Sequence, residues 1–147
     1  MPRLPFLFFY VIGLVLLLIA APAHACSFDR LSPLQLFARA STVFVAHVVR
    51  TEEAMGLSPL SDKPEVIVEA SFRIVEVLKG QPPKDGKVKS RVPLGGNCSI
   101  ELLAAIDYLF FLNNDLNFVL MPDGSRPIYL WFSEHNVLLQ RLRALPK

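Results

Sequence analysis

The sequence predicts a small, mostly β protein in which about five strands close into a barrel, with a short helix near each end. Three observations support this fold class. Segments with the alternating apolar pattern of β-strands recur along the chain, and helical spacing is confined to its two ends. Strands and helices do not alternate in the rhythm of a parallel α/β sheet. A chain rich in strands without that rhythm favours an antiparallel barrel, because closure removes exposed strand edges.

Residues 1–25 form an apolar leader. Arg3 is its only charged residue apart from the amino terminus, and residues 6–21 are almost purely apolar. That run is short for a membrane span, which needs about 20 residues. Alanines at the −3 and −1 positions before Cys26 suit signal peptidase, so we expect export with Cys26 as the first mature residue. An uncleaved anchor and a lipoprotein acylated at Cys26 remain alternatives.

Residues 26–147 form the single predicted domain. Removing the leader leaves 122 residues (147 less 25), enough for one core, and the loss of Arg3 lowers the net charge from +2 to +1. This balance argues against a nucleic-acid-binding protein, which needs clustered Lys and Arg. We expect a monomer that is secreted or periplasmic and leaves the membrane after cleavage. Two cysteines in that oxidising setting favour a disulfide over free thiols.

The first elements of the domain are predicted from local signals. Residues 31–40 predict a short helix, because a capping box begins at Ser32 and a proline occupies the first helical position. Residues 42–51 predict a strand with two mostly apolar faces, one lining a core and the other beneath a helix. Residues 52–64 combine charged residues with Gly, Ser and Pro, which predicts a polar loop.

The middle of the chain predicts two further strands. Residues 65–78 are rich in Val, Ile and Phe, and their alternation slips after Ile74, which predicts a β-bulge. Residues 88–94 alternate between apolar or small residues and basic ones, as expected of a strand with one solvent-exposed face. A flexible, glycine-rich connector follows and carries Cys98.

The last third predicts a buried strand, a hairpin and a helix. Residues 108–112 are the buried strand, and residues 118–121 and 128–132 are the hairpin arms around a Pro-Asp-Gly-Ser turn. The final helix spans about 134–145 and is capped by Ser133. Together these elements favour a five-stranded OB-fold.

A series of short motifs spans nearly the whole mature chain. In order they are Cys26-Ser27, Leu36-Phe37-Ala38-Arg39-Ala40 leading into Val43-Phe44-Val45-Ala46, Phe72-Arg73-Ile74, Val77-Leu78-Lys79-Gly80, Cys98, and Tyr108-Leu109-Phe110-Phe111-Leu112. In this order and spacing the chain resembles the N-terminal domain of the tissue inhibitors of metalloproteinases, a netrin-type OB-fold.

The resemblance implies an exported, non-catalytic inhibitor without a metal or cofactor of its own. In that family the first cysteine is bonded to a connector cysteine, which maps onto Cys26 and Cys98. The amine and carbonyl of the first residue chelate the zinc of a target protease, and Ser27 faces the substrate pocket. The partner would be an extracytoplasmic zinc metalloprotease, contacted by Cys26, Ser27, Phe28, Asn97 and Ser99. The family has a further cysteine where this chain has Phe28, and its other bridging cysteines are also missing.

The chemistry of a cysteine at the amino terminus fits this role. A catalytic zinc keeps one coordination position open, and a terminal amine with a reference pKa of about 8 can be deprotonated by zinc near neutrality. The Cys26–Cys98 bridge would enclose 72 positions (98 less 26). Loop-closure entropy then suggests a stabilisation of about 4 kcal/mol.

Other interpretations of these residues remain open. The bridge can be a structural staple only, and the domain can be an interaction module that never touches zinc. Cys98 can also be a nucleophile beside His47 or His135, although nothing in the sequence orients such a pair. His47 is expected to be packed or at the barrel rim. No phosphate-binding loop, serine-hydrolase or dinucleotide motif is present in the sequence, so we do not expect an enzyme.

Overall fold

A computed structural model describes residues 31–93, 98–113 and 115–146. The leader, predicted for residues 1–25, lies outside these ranges. Within them the chain forms a five-stranded antiparallel sheet in the order β3-β2-β1-β4-β5, with two short helices. The elements are α1 (Pro33–Arg39), β1 (Thr42–Ser58), β2 (Ser61–Lys79), β3 (Lys87–Arg91), β4 (Asp107–Leu112), β5 (Arg126–Ile128) and α2 (Ser133–Arg143). The predicted mostly β architecture with flanking helices is confirmed.

The first helix begins where the sequence predicts. The backbone N–H of Gln35 donates to the Ser32 hydroxyl at 3.3 Å, and the Ser32 N–H donates to the Gln35 side chain at 2.8 Å. This reciprocal capping box satisfies donors that a helix start leaves unpaired. The helix ends at Arg39 because Ala40 is extended, with φ −65° and ψ 138°. Leu36 and Phe37 are buried and place the helix on the sheet.

The two faces of β1 line two cores, as expected from its two apolar faces. One face packs beneath both helices, in a cluster that includes Leu36, Phe37, Val43, Val45, Leu109, Phe111, Ile128, Leu139 and Leu142. The opposite face lines the second core, which includes Phe44, Ala46, Val48, Ala70, Val88, Ile100, Leu102, Tyr108, Phe110 and Val119. Burial on both faces explains why β1 and β4 read as nearly continuous apolar runs.

The prediction of a loop at residues 52–64 is wrong. β1 and β2 pair through this stretch, with Glu52 opposite Glu69 and Met55 opposite Val66, and the chain reverses only between Ser58 and Ser61. The two strands form a long ribbon whose far end is largely exposed. Backbone hydrogen bonds hold the two strands of the ribbon together even where apolar and polar side chains do not alternate. The polar side chains of residues 52–64 therefore predicted a loop although the strands continue.

The β-bulge predicted from the slip after Ile74 is confirmed. Val45 pairs with Glu76, but the next residue of β1, Ala46, pairs with Ile74. Val75 is therefore the extra residue on β2, and the alternation of side chains changes phase there.

The hairpin predicted from residues 118–121 and 128–132 is wrong. β5 pairs with β4, and Asp107 lies opposite Ile128. Phe118 instead forms a parallel bridge with Lys89 of β3. Phe118 is fully buried, so core packing decides its position rather than a local turn. The predicted turn does form, as a 3-10 turn that ends at Gly124 with φ 96°.

The last helix begins one residue earlier than predicted. Ser133 is its first helical residue and Phe132 holds the cap position, without a side-chain cap. The cap predicted at Ser133 is therefore wrong. The Asn136 side chain donates to the Leu130 carbonyl at 2.8 Å and so links the first turn of the helix to the residues before it. Among the described residues, no helix has the length and apolar character to cross a membrane.

Candidate functional site

The predicted site lies only partly within the described residues. Cys26, Ser27, Phe28 and Asn97 fall outside them, so the Cys26–Cys98 bridge and the contact surface built on it stay predictions. Cys98 and Ser99 are described.

Cys98 lies on a segment whose backbone pairs with residues 120–121. The Met121 N–H donates to the Cys98 carbonyl at 3.2 Å, and Ser99 forms an antiparallel bridge with Leu120. Cys98 adopts φ 53°, in the left-handed region that non-glycine residues rarely occupy. Such a conformation persists only where the surroundings fix it.

The buried side chain of Ser90 in β3 is hydrogen-bonded to the backbone of this segment. The Ser90 hydroxyl donates to the Ile100 carbonyl at 2.8 Å and accepts from the Ile100 N–H at 3.3 Å. Ser90 is 0% exposed, and Ser99 is 8% exposed. The protease contact predicted for Ser99 stays a prediction, at a side chain that is largely buried.

A polar pair lies at the end of the sheet on the helix side. Along that face of β1 and β4, the cross-strand partners are Val43 with Phe111, then Val45 with Leu109, then His47 with Asp107. The Nδ1 atom of His47 lies 2.7 Å from Oδ1 of Asp107, and both side chains are about one-third exposed. His47 therefore lies at the rim of the sheet, one of the two positions expected for it. No local sequence pattern marks Asp107, because only the strand register identifies it as the partner of His47.

An aromatic turn, residues 129–132, stands beside this pair. The Tyr129 and Trp131 rings lie 5.0 Å apart between centroids, and Trp131 is 77% exposed. The Tyr129 N–H donates to Nδ1 of His135 at 2.8 Å, and the two rings stack. The first turn of α2 thus fixes the aromatic turn. This segment was also missed, because it was assigned to a hairpin arm.

The polar pair and the aromatic turn border an open cavity of about 460 Å³, which we call the rim cavity. His47, Asp107, Ile106, Ile128, Tyr129 and Trp131 are among its lining residues. The cavity thus combines a carboxylate, an imidazole, aromatic faces and an apolar floor. These groups can bind a small ligand or a side chain of a partner.

The two histidines considered beside Cys98 each bind another group through Nδ1. Nδ1 of His47 is engaged by Asp107, and Nδ1 of His135 by the backbone of Tyr129. Within the described ranges, no group of three or more His, Cys, Asp or Glu side chains is placed to hold a metal ion.

Burial shifts the pKa values of some groups near the core. It raises the pKa of the Tyr108 hydroxyl, which donates to the Glu101 carbonyl and accepts from the Leu103 N–H. Burial also raises the pKa of Asp123, against a hydrogen bond from Asn113 that lowers it. Both groups shape the turns around the sheet and are not part of the rim cavity.

Comparison with known proteins does not identify the chain. No protein-family model matches it, and no curated protein matches it.

Proposed function

We propose that this protein is an exported, non-catalytic binding protein similar to the tissue inhibitors of metalloproteinases, in which the amine and carbonyl of Cys26 chelate the zinc of an extracytoplasmic metalloprotease. One observation carries the proposal. Cys98, the proposed disulfide partner of Cys26, has a backbone fixed by Met121 and by the Ser99–Leu120 bridge. A terminus bonded to a fixed residue loses little conformational freedom on binding, which favours affinity.

The topology of the sheet supports an OB-fold for the domain. The strand order β3-β2-β1-β4-β5 places β3 at one edge and β5 at the other. Beyond β4, the Val119 N–H donates to the Lys89 carbonyl of β3 at 2.7 Å, and the Lys89 N–H donates to Asn117 at 2.9 Å. The segment after β4, residues 117–119, therefore pairs with β3 at the opposite edge of the sheet. Closure of a barrel requires a contact of this kind.

The proposed mechanism uses the backbone of the first residue. An unprotonated amine and the adjacent carbonyl of Cys26 form a five-membered chelate that displaces the water from a catalytic zinc. Ser27 then enters the substrate pocket, while Phe28 and Asn97 flank it. Because this sequence lacks the family's other cysteines, the Cys26–Cys98 bridge alone would hold the amino terminus rigid.

The first test is amino-terminal sequencing and intact mass of the exported protein. The proposal expects a chain that begins at Cys26 with a mass two hydrogens below that of the reduced chain. A large mass gain would instead identify the lipoprotein alternative, and a start at another residue would overturn the proposal.

The second test is inhibition of zinc metalloproteases by the processed protein. One alanine added before Cys26 should abolish inhibition, because it moves the amine away from the zinc. The matched control carries one alanine after Lys147 and should inhibit like the unmodified protein. Inhibition that survives the added amino-terminal alanine would refute the chelation mechanism.

A second candidate function is an interaction module that never contacts zinc. The exposed Trp131, next to half-exposed Leu130 and Phe132, favours it, because exposed aromatic clusters are typical of protein contact sites. In this case, acetylation of the amine of Cys26 leaves partner binding intact, whereas Trp131→Ala weakens it.

A further inference from the structure

We propose that the rim cavity binds an alkylammonium cation, with the ammonium group against Asp107 and the aromatic side chains that line the cavity, chiefly the exposed Trp131. Neither Cys26 nor a protease zinc takes part in this binding, so it stands whether or not the inhibitor function does. Three properties of the cavity point to this ligand class.

The first property is the charge of the cavity wall. Among the described residues that line the cavity, Asp107 is the only carboxylate and there is no Lys or Arg. Its Oδ1 contacts His47, and its Oδ2 has no hydrogen-bond partner among the described residues. The wall therefore offers a carboxylate oxygen to a cation and has no fixed positive charge that would attract an anion.

The second property is the aromatic lining. Tyr129 and Trp131 both line the cavity and pack against each other, with centroids 5.0 Å apart, and Trp131 is 77% exposed. Cations are attracted to the faces of aromatic rings, and Trp is the best partner. The Tyr129–His135 hydrogen bond and the stacking of His135 on Tyr129 hold this ring in place before a ligand arrives.

The third property is the apolar floor. Ile106 and Ile128 line the cavity between the polar pair and the aromatic turn. Methyl or methylene groups around an ammonium centre fit against these side chains. A sugar needs many hydrogen-bonding partners for its hydroxyls, and the cavity provides few polar side chains. An alkylammonium group therefore matches the lining better than a neutral polyol.

The experiment uses the intrinsic fluorescence of Trp131, the only tryptophan of the chain. The folded protein is titrated with tetramethylammonium, with tert-butanol as a neutral analogue and with pivalate as an anionic analogue, at constant ionic strength. Tetramethylammonium should give a saturable change with a Kd on the order of millimolar, as expected for a small ligand in an open site. The two analogues should give no saturable change.

Asp107→Asn removes the charge and keeps the size of the side chain. This variant should bind tetramethylammonium about tenfold more weakly. The matched control, Asp62→Asn, removes the same charge at the exposed end of the ribbon and should bind within about twofold of the parent protein. Trp131→Leu, measured by calorimetry, should bind about threefold more weakly. A circular dichroism melt confirms that each variant is folded.

The source of the ammonium group is tested with a second ligand. Nα-acetyl-lysine amide carries its cation on a flexible stem, as a lysine of a partner protein does. Tighter binding of this ligand assigns the cavity to a partner's lysine, whereas tighter binding of tetramethylammonium assigns it to a free quaternary amine. Absence of saturable binding by both cations would overturn the proposal. An equal response to tert-butanol, or unchanged binding by Asp107→Asn, would also overturn it.

Discussion

His47 on β1 and Asp107 on β4 are direct cross-strand partners, and their side chains are within hydrogen-bonding distance, with 2.7 Å between Nδ1 and Oδ1. Two apolar pairs precede them on the same face of the sheet, so the polar pair lies where the helix-side core meets solvent. Polar pairs at such half-exposed positions contribute little to stability. The placement of this one, beside an exposed tryptophan, suits recognition better than folding.

The first prediction concerns the hydroxyl of Tyr108. Tyr108→Phe should lower the free energy of unfolding by about 1 kcal/mol, because it removes the acceptor for the Leu103 N–H and the donor to the Glu101 carbonyl. Urea denaturation measures the change. Tyr129→Phe, at the surface aromatic turn, is the control and should change stability by less than about 0.5 kcal/mol. Equal effects of the two substitutions would show that the Tyr108 hydroxyl is not a structural link.

The second prediction compares two glycines with positive φ. Gly124 has φ 96°, and a Cβ there would lie 2.7 Å from Cδ1 of Leu36 in the core. Gly86 has φ 66°, but its nearest neighbour to a Cβ would be 3.6 Å away. Gly86→Ala should cost about 1 kcal/mol for the backbone alone, whereas Gly124→Ala should cost about 1–3 kcal/mol more from overpacking. Thermal melts of both variants test this, and similar melting temperatures would contradict the packing at Gly124.

The third prediction concerns the support beneath Cys98. Ser90→Ala leaves the Ile100 N–H and carbonyl without their buried partner, which should cost about 1–3 kcal/mol. Hydrogen exchange should rise most in residues 98–100 and 120–121. Ser61→Ala, at the exposed end of the ribbon, is the control and should leave exchange in those residues unchanged. If exchange in residues 98–100 and 120–121 is as slow in Ser90→Ala as in Ser61→Ala, Ser90 does not fix the connector.

The fourth prediction is a pH dependence at Asp123. Burial raises its pKa in the folded protein above 3.8, so ionisation opposes folding. The stability contribution of the protonated carboxyl is present below 3.8 and is lost as pH rises through the folded-state pKa. Asp123→Asn, which can keep the bond from Asn113, should therefore raise the melting temperature at pH 7 by about 1–3 °C. The gain should vanish at about pH 3, and a gain that persists there would contradict this origin.

Local chemistry was sufficient to predict some elements. The capping box at Ser32 places the start of α1 because its partners lie within one turn of the chain. The phase slip after Ile74 locates a bulge because side-chain alternation is a property of a single strand. The continuous apolar run of β4 also predicts a buried strand, because both of its faces are covered.

Pairing between distant segments was not predictable in this way. The ribbon through residues 52–64 forms because β1 and β2 continue their hydrogen bonds past the core, where the apolar pattern no longer marks a strand. Phe118 pairs with Lys89 instead of closing a local hairpin, because its side chain fills the second core. A two-residue change of register would also have separated His47 from Asp107.

The amino-acid sequence by itself determined the mostly β class with flanking helices, the first helix, the bulge and the buried strands, because propensity, capping and periodicity act over a few residues. Only the tertiary structure decided the strand order, the ribbon and the rim cavity. Those features depend on which residues meet across strands and turns far apart in the chain. The register of β1 on β4 brings His47 to Asp107, and the first turn of α2 brings Tyr129 and Trp131 beside them.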